Sequence, residues 1–133
     1  MAVVRWLIDN SASARSGEPE VARHLDELAG QICICPIGEL EYLYSARSAG
    51  DYDRLKAQLR DNVELVAPPP DIFERARALQ RDLAHHHGMW HRISIPDLII
   101  AETALHHGLG VLHVDRDYDR IAEVRPLVAR RLR

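Results

Sequence analysis

Four short apolar runs, VVRWLID (3–9), QICIC (31–35), VELVA (63–67) and LGVLHVD (109–115), are separated by longer stretches with helical spacing. This alternation constrains the fold more than any other feature of the chain. Runs of that length, rich in Val, Ile and Leu, read as buried strands. Strands that alternate with helices pair in parallel, because a crossover helix returns the chain to the same end of the sheet. The expectation is an α/β/α sandwich on a mostly parallel central sheet of four to five strands, one domain over residues 1–133.

The helices follow from their punctuation. Pro19 opens a stretch with Val21, Leu25 and Leu28 at helical spacing and Gly30 as its stop. Pro36 begins PIGELEYLYSARS, a polar-faced helix ends near Asn62, and Asp71 opens IFERARALQRDLAHHHG, which Gly88 terminates. MWHRIS reads as a connecting loop. IPDLIIAETALHHG is an almost wholly apolar helix between Pro96 and Gly108, RDYDRIAEV is a short helix, and RPLVARRLR is an edge strand or a basic tail.

Composition narrows the class without naming a function. At 47% hydrophobic and 28% charged the chain is globular, and a net charge of -3 does not advertise a nucleic-acid binder. All cationic residues but Lys56 are arginine, which suits phosphate contacts but also follows from genome composition. No stretch approaches the roughly 18 apolar residues of a membrane span, and the N-terminus lacks a secretion-signal layout. A cytoplasmic protein, with Cys33 and Cys35 buried and reduced, is the expectation.

Two of the best strands end in an aspartate, Asp9 and Asp115. A parallel sheet brings both to its carboxyl edge, where open α/β sheets place their sites. Asp97 lies in the first turn of the apolar helix, on the face of Ala101, Ala104 and Leu105, where an unpaired acid is costly. Glu41 follows the second strand, and Asp117 and Asp119 follow Asp115. Two carboxylates at roughly 4 Å in an effective dielectric near 20 repel by about 4 kcal/mol, and a divalent cation removes that cost. Oxygen-only donors suit Mg²⁺ or Mn²⁺, and such a centre performs metal-assisted phosphodiester hydrolysis. Taken singly, Asp9 reads as a turn residue or cap, Asp97 as a helix cap, and Glu41 as a surface acid, with Glu39 two residues before it on a different face of the helix. Their joint placement favours a site.

LIDNSA, ELEYLYSARS, IPDLIIAETALHHG and VLHVDRDYDRIAEV, in this order, resemble the PIN-domain ribonucleases, specifically the VapC-type toxins of prokaryotic toxin-antitoxin pairs. The resemblance implies a PIN-like fold with Asp9, Glu41, Asp97 and Asp115 as the catalytic acids. It further implies metal ligation by Asp9, Asp97, Asp115 and, through water, Asp117, with the Ser11 hydroxyl fixing Asp9. Asn10 stands where the family often has threonine. The implied activity is endoribonuclease action with Mg²⁺ or Mn²⁺, leaving a 3′-hydroxyl and a 5′-phosphate. The implied partners are an RNA substrate, a VapB-like antitoxin and a second copy of the chain.

RNA near such acids needs cations. Arg47 is the first choice and Arg15 the second, with Arg54 and Arg92 also flanking the motifs. His85, His86, His87 and His91 make a poor zinc site because consecutive histidines splay around a helix end. A flexible loop is the simpler reading, with Trp90 stacking on RNA as a lesser one. His113 and Trp6 read as core. Two alternatives remain: a PIN-like module without catalysis, and a Mg²⁺-binding receiver-type signalling domain, which would want a lysine near a late strand where this chain has only Lys56.

Overall fold

A computed structural model describes residues 5–133. Its sheet comprises β1 (Trp6–Ile8), β2 (Ile32–Ile34), β3 (Glu64–Leu65), β4 (Gly110–His113) and β5 (Ala129–Arg131). All four pairings are parallel and the order is β3-β2-β1-β4-β5. The chain builds outward from β1 in one direction and then, with β4, starts in the other. The topological switch point thus lies between β1 and β4, and the order differs from the receiver arrangement, in which β1 sits between β2 and β3.

Among the described residues seven helices accompany the sheet: α1 (Asn10–Ser13), α2 (Pro19–Glu27), α3 (Pro36–Tyr44), α4 (Ala49–Asn62), α5 (Ile72–His85), α6 (Ile95–His107) and α7 (Asp117–Ile121). Strand side chains alternate between two apolar clusters, as a period of two requires. Leu7, Cys33 and Val111 belong to one cluster with residues of α5, α6 and α7, while Ile8, Ile34 and Leu112 belong to another with residues of α2, α3 and α4. Fully burying each such aliphatic side chain stabilises by about 1.5–3 kcal/mol. Both faces are therefore covered, and the strands read as continuous apolar runs for that reason. Cys33 and Cys35 are buried free thiols in one cluster.

The elements stand close to their sequence expectations, with instructive differences. Of the run at 3–9, Val3 and Val4 lie outside the described residues. VELVA contributes only Glu64–Leu65, an edge strand with both residues exposed, because three prolines follow and cannot extend a ladder. RPLVARRLR is an edge strand, not a tail: β5 pairs with β4 and anchors Leu132, 1% exposed, in the core. The short α1 was not anticipated. It forms because Asp9 caps it directly after β1.

The buried helix α6 sets the position of the site. Residues 97–104 are all buried, so this helix lies under α5 and against β1 and β4. Ser94 caps its start, and Gly108, at φ 67°, ends it while the Leu109 N–H donates to the Ala104 carbonyl at 2.8 Å. That left-handed turn favours glycine and delivers the chain straight into β4.

Candidate active site

Asp9, Asp97, Asp115 and Asp117 meet at the carboxyl edge of the sheet, beside the switch point. Asp9 leaves β1 in extended conformation and is 3% exposed. Its Oδ2 accepts the Ser11 N–H at 2.9 Å and its Oδ1 accepts the Tyr118 hydroxyl at 2.8 Å. Asp97 lies in the first turn of α6, where the Ser94 hydroxyl accepts its N–H at 3.3 Å. Asp115 sits in the turn after β4, and its Oδ1 accepts the N–H of Asp117, the first residue of α7, at 3.0 Å. Oxygens of Asp97, Asp115 and Asp117 all lie within 4.8 Å of one another. Asp9 joins this group through the Tyr118 hydroxyl, which also lies 3.1 Å from Asp97 Oδ1.

The electrostatics follow from this crowding. Burial first, then the charges of Asp9 and Asp115, push the Asp97 carboxyl up to about 7. Burial and then Asp115 raise Asp117. Burial and the two neighbouring carboxylates raise Tyr118 and keep its phenol protonated. One phenolic proton faces two carboxylates, so a protonated Asp97 completes the bridge from Asp9 through Tyr118 to Asp97.

Glu41 and Glu39 resolve an ambiguity that helical spacing left open. Both oxygens of Glu39 accept from Arg60, at 2.8 and 3.0 Å, so this glutamate is an internal ion-pair partner on α3. Glu41 has a buried Oε1 with no hydrogen-bond partner. Burial raises its carboxyl and the charge of Asp9 adds to that effect. Glu41, with its unpartnered oxygen, therefore belongs electrostatically with the acid cluster, whereas both oxygens of Glu39 are taken by Arg60.

Ser11 supports Asp9 through its backbone N–H, and its hydroxyl goes elsewhere. The expected hydroxyl bond to the Asp9 carboxylate gives way to acceptance of the Val114 N–H at 3.0 Å. The reason is topological, since the first residues after β1 and β4 are neighbours and an edge amide there needs a partner. Asn10 spends its side-chain oxygen on the Ser13 hydroxyl at 3.3 Å. His113 is fully buried; its Nδ1 accepts the Asp115 N–H at 3.1 Å, and burial lowers its pKa. It thus shapes the turn that carries Asp115.

The cations divide by what they already hold. Arg15 donates to the Ser11 carbonyl at 2.8 Å and lies 3.7 Å from Glu18. Arg54 pairs with Asp51 at 2.5 Å. Arg47 has an exposed side chain beside Tyr52 in a shallow cavity of about 480 Å³ at the α3–α4 turn. Arg92 is also exposed. Arg116 and Arg120, which sequence reasoning passed over, have charges that lower the Asp117 carboxyl. Tyr118 was passed over too; it packs inward beside Ile121 on α7, both of them buried. The histidine loop is ordered by its own contacts: the His86 and Trp90 rings stack at 4.2 Å, and the Trp90 N–H donates to the Leu83 carbonyl at 2.9 Å.

The donor set suits a hard divalent cation. Three carboxylates converge, a fourth is tied to them through Tyr118, and Glu41 brings a buried, unpartnered oxygen. Among the described residues the cluster of Asp97, Asp115 and Asp117 holds carboxylates alone.

Comparison with known proteins is consistent with the geometry. The family pattern described as PIN domain matches residues 7–124. Ribonuclease VapC17 of Mycobacterium tuberculosis is 58% identical over 124 residues, covering 91% of this chain and 90% of that one. Ribonuclease VapC21 of the same species is 40% identical, covering 90% and 88%. Among solved structures, VapBC2 from Rickettsia felis, bound to a promoter DNA fragment, superposes with a TM-score of 0.77 at 16% identity, covering 95% of this chain and 97% of that one. VapBC-5 from Mycobacterium tuberculosis superposes with a TM-score of 0.68 at 19% identity, covering 96% and 98%. The parallel sheet with acids at its switch point, the matched family pattern and the close relatives agree: this chain belongs to the PIN-domain family, among the VapC ribonucleases.

Proposed function

We propose that the chain is the toxin of a VapBC-type pair, an endoribonuclease that hydrolyses RNA phosphodiester bonds with Mg²⁺ or Mn²⁺. The observation that carries this reading is the convergence of Asp97, Asp115 and Asp117 within 4.8 Å, with Asp97 pushed up to about 7 by burial and then by the charges of Asp9 and Asp115. Asp9, Asp97 and Asp115, with Asp117 beside them, would hold the cation, and Glu41 would complete the catalytic set. When bound, the cation neutralises the cluster, polarises a phosphate oxygen and acidifies water. Tyr118 and the Ser11 N–H fix the two oxygens of Asp9, so that carboxylate cannot rotate away. With the cluster neutralised in this way, the Asp97 carboxyl would be held in its charged form. Water adds across the bond to leave a 3′-hydroxyl and a 5′-phosphate. Arg47 and Arg15 draw the strand toward an otherwise repulsive centre.

The same reading assigns partners. VapBC complexes from Rickettsia felis, Salmonella typhimurium and nontypeable Haemophilus influenzae share this fold, and a VapB-like antitoxin is the inhibitor proposed for this chain. Exposed Leu40 and Tyr44 lie one turn apart on α3, and exposed Phe73 opens α5. A second copy of the chain is the partner proposed for these exposed apolar side chains. The same reading takes the chain as a single domain over 1–133 and places it in the cytoplasm, where its RNA substrate is. No described helix is long and apolar enough to cross a membrane.

Purified protein incubated with RNA and Mg²⁺ or Mn²⁺ tests the reading. Cleavage is expected, with loss of more than about 100-fold in Asp9→Ala and Asp97→Ala while circular dichroism shows a folded chain. Undiminished cleavage in both variants would mean a contaminating nuclease.

A further inference from the structure

Three arginines of this structure spend their donors on carboxylates of distant elements. Arg60 makes two bonds to Glu39, at 2.8 and 3.0 Å, Arg75 makes one to Glu102 at 3.2 Å, and Arg125 makes one to Asp82 at 2.8 Å. Arg120 does not follow this pattern. It lies one turn beyond Asp117 on α7, with NH1 3.7 Å from Asp117 Oδ1, beyond hydrogen-bond reach. Its guanidinium carbon lies 5.3 Å from the centroid of the Trp90 ring, within cation–π range. Among the described residues its side chain makes no hydrogen bond, and it is one-third exposed, at 33%.

The seat beneath it is built. Trp90 packs against the core cluster of α5 and α6 and stacks on His86, their planes 19° apart. His86 Nε2 lies 3.6 Å from Glu123. A Cβ at residue 88 would come within 2.4 Å of the Trp90 indole nitrogen, so glycine there admits the ring. The segment between α5 and α6, which reads in sequence as a loose histidine loop, is thus a platform that holds one guanidinium at the edge of the acid cluster.

We propose that Arg120, seated on Trp90, binds a phosphate of the RNA strand next to the bond that is cut. Its free planar donors match two phosphate oxygens, and the indole limits its freedom before the strand arrives. Arg120 is a binding residue, and Trp90 is a positioning residue that acts through it. This assignment rests on the ribonuclease reading above.

Steady-state cleavage of a short single-stranded RNA by the full chain, over a series of salt concentrations, tests it. For Arg120→Ala the expected result is a rise in KM of about tenfold, with kcat kept within about threefold. The slope of log KM against log salt should fall by about 0.7, one phosphate contact on a single strand. Arg120→Lys restores the slope because the charge remains. Trp90→Leu raises KM less than Arg120→Ala does, and adds little to it in the double variant. An unchanged KM and slope in Arg120→Ala, with the unaltered chain cleaving normally, would overturn the assignment alone. Failure of the unaltered chain to cleave any RNA would remove the ribonuclease reading and this assignment with it.

Discussion

Asp97 and Glu102 stand on the same helix, 6% and 4% exposed, and the chain treats them in opposite ways. Glu102 faces α5 and the segment after α7, where Arg75 reaches it at 3.2 Å and Arg125 at 3.3 Å. Arg125 extends the network to Asp82 at 2.8 Å. Asp97 faces the switch point, where its neighbours are Asp9, Asp115 and a phenol. A buried carboxylate is costly unless something compensates it. Within one helix, two turns of buried surface carry one acid with internal cations and one without. The difference separates structure from function: compensation that must be permanent comes from arginine, and compensation that must exchange with substrate is left to a bound cation.

Removing Glu102 should break the structural half. Glu102→Ala leaves the partly buried Arg75 without its partner and Arg125 with Asp82 alone, and is expected to cost about 3 kcal/mol in chemical denaturation. Cleavage per folded molecule should stay near that of the unaltered chain. A stability loss no larger than that of an exposed acid would mean the network is not what holds α5, α6 and α7 together.

The functional half predicts the reverse sign. The Asp97 carboxyl is raised from 3.8 to about 7, so the metal-free fold carries proton-linked stability that is complete below about pH 4. That stability is lost as the pH rises through about 7. Asp97→Asn should therefore stabilise chelator-treated protein by about 2 kcal/mol at pH 8, where the unaltered carboxyl is charged, and by little at pH 5. Thermal melts at the two pH values measure it. Mg²⁺ should raise the melting temperature of the unaltered chain more at pH 8 than at pH 5, since protons compete for the same oxygens.

The glutamate pair on α3 sharpens the contrast at its smallest scale. Glu39→Gln weakens two charge-assisted bonds to a half-exposed Arg60 and should cost about 1 kcal/mol. Glu41→Gln should leave metal-free stability unchanged or slightly raised, because it removes a charge that burial and Asp9 already oppose. Equal destabilisation by both substitutions would contradict the division between them.

The acids were legible before the fold because each sits at a punctuation point: Asp9 and Asp115 after apolar runs, Asp97 after Ser94 and Pro96. Their partners were not. Tyr118, Arg116 and Arg120 lie inside the RDYDR string beside Asp115, yet their roles depend on which way a five-residue helix faces, and so short a segment has too little periodicity to say. The Ser11 hydroxyl was expected on Asp9 and goes to Val114, 103 residues away, because no local rule anticipates a neighbouring strand end. The histidine loop read as loose because polar composition hides ring stacking and a glycine that admits an indole.

By itself the sequence determined the layer architecture, the parallel pairing and the edge at which Asp9 and Asp115 emerge, since strand length, helical period and turn residues are local properties of the chain. Only the tertiary structure decided which buried acids would be neutralised from within. It set Arg60 on Glu39 and two arginines on Glu102, left Asp97 and Glu41 without a cation, and seated Arg120 on Trp90. Those choices are pairings between residues distant in the chain. Burial and charge act through space, and the distances that govern them exist only once the chain has folded.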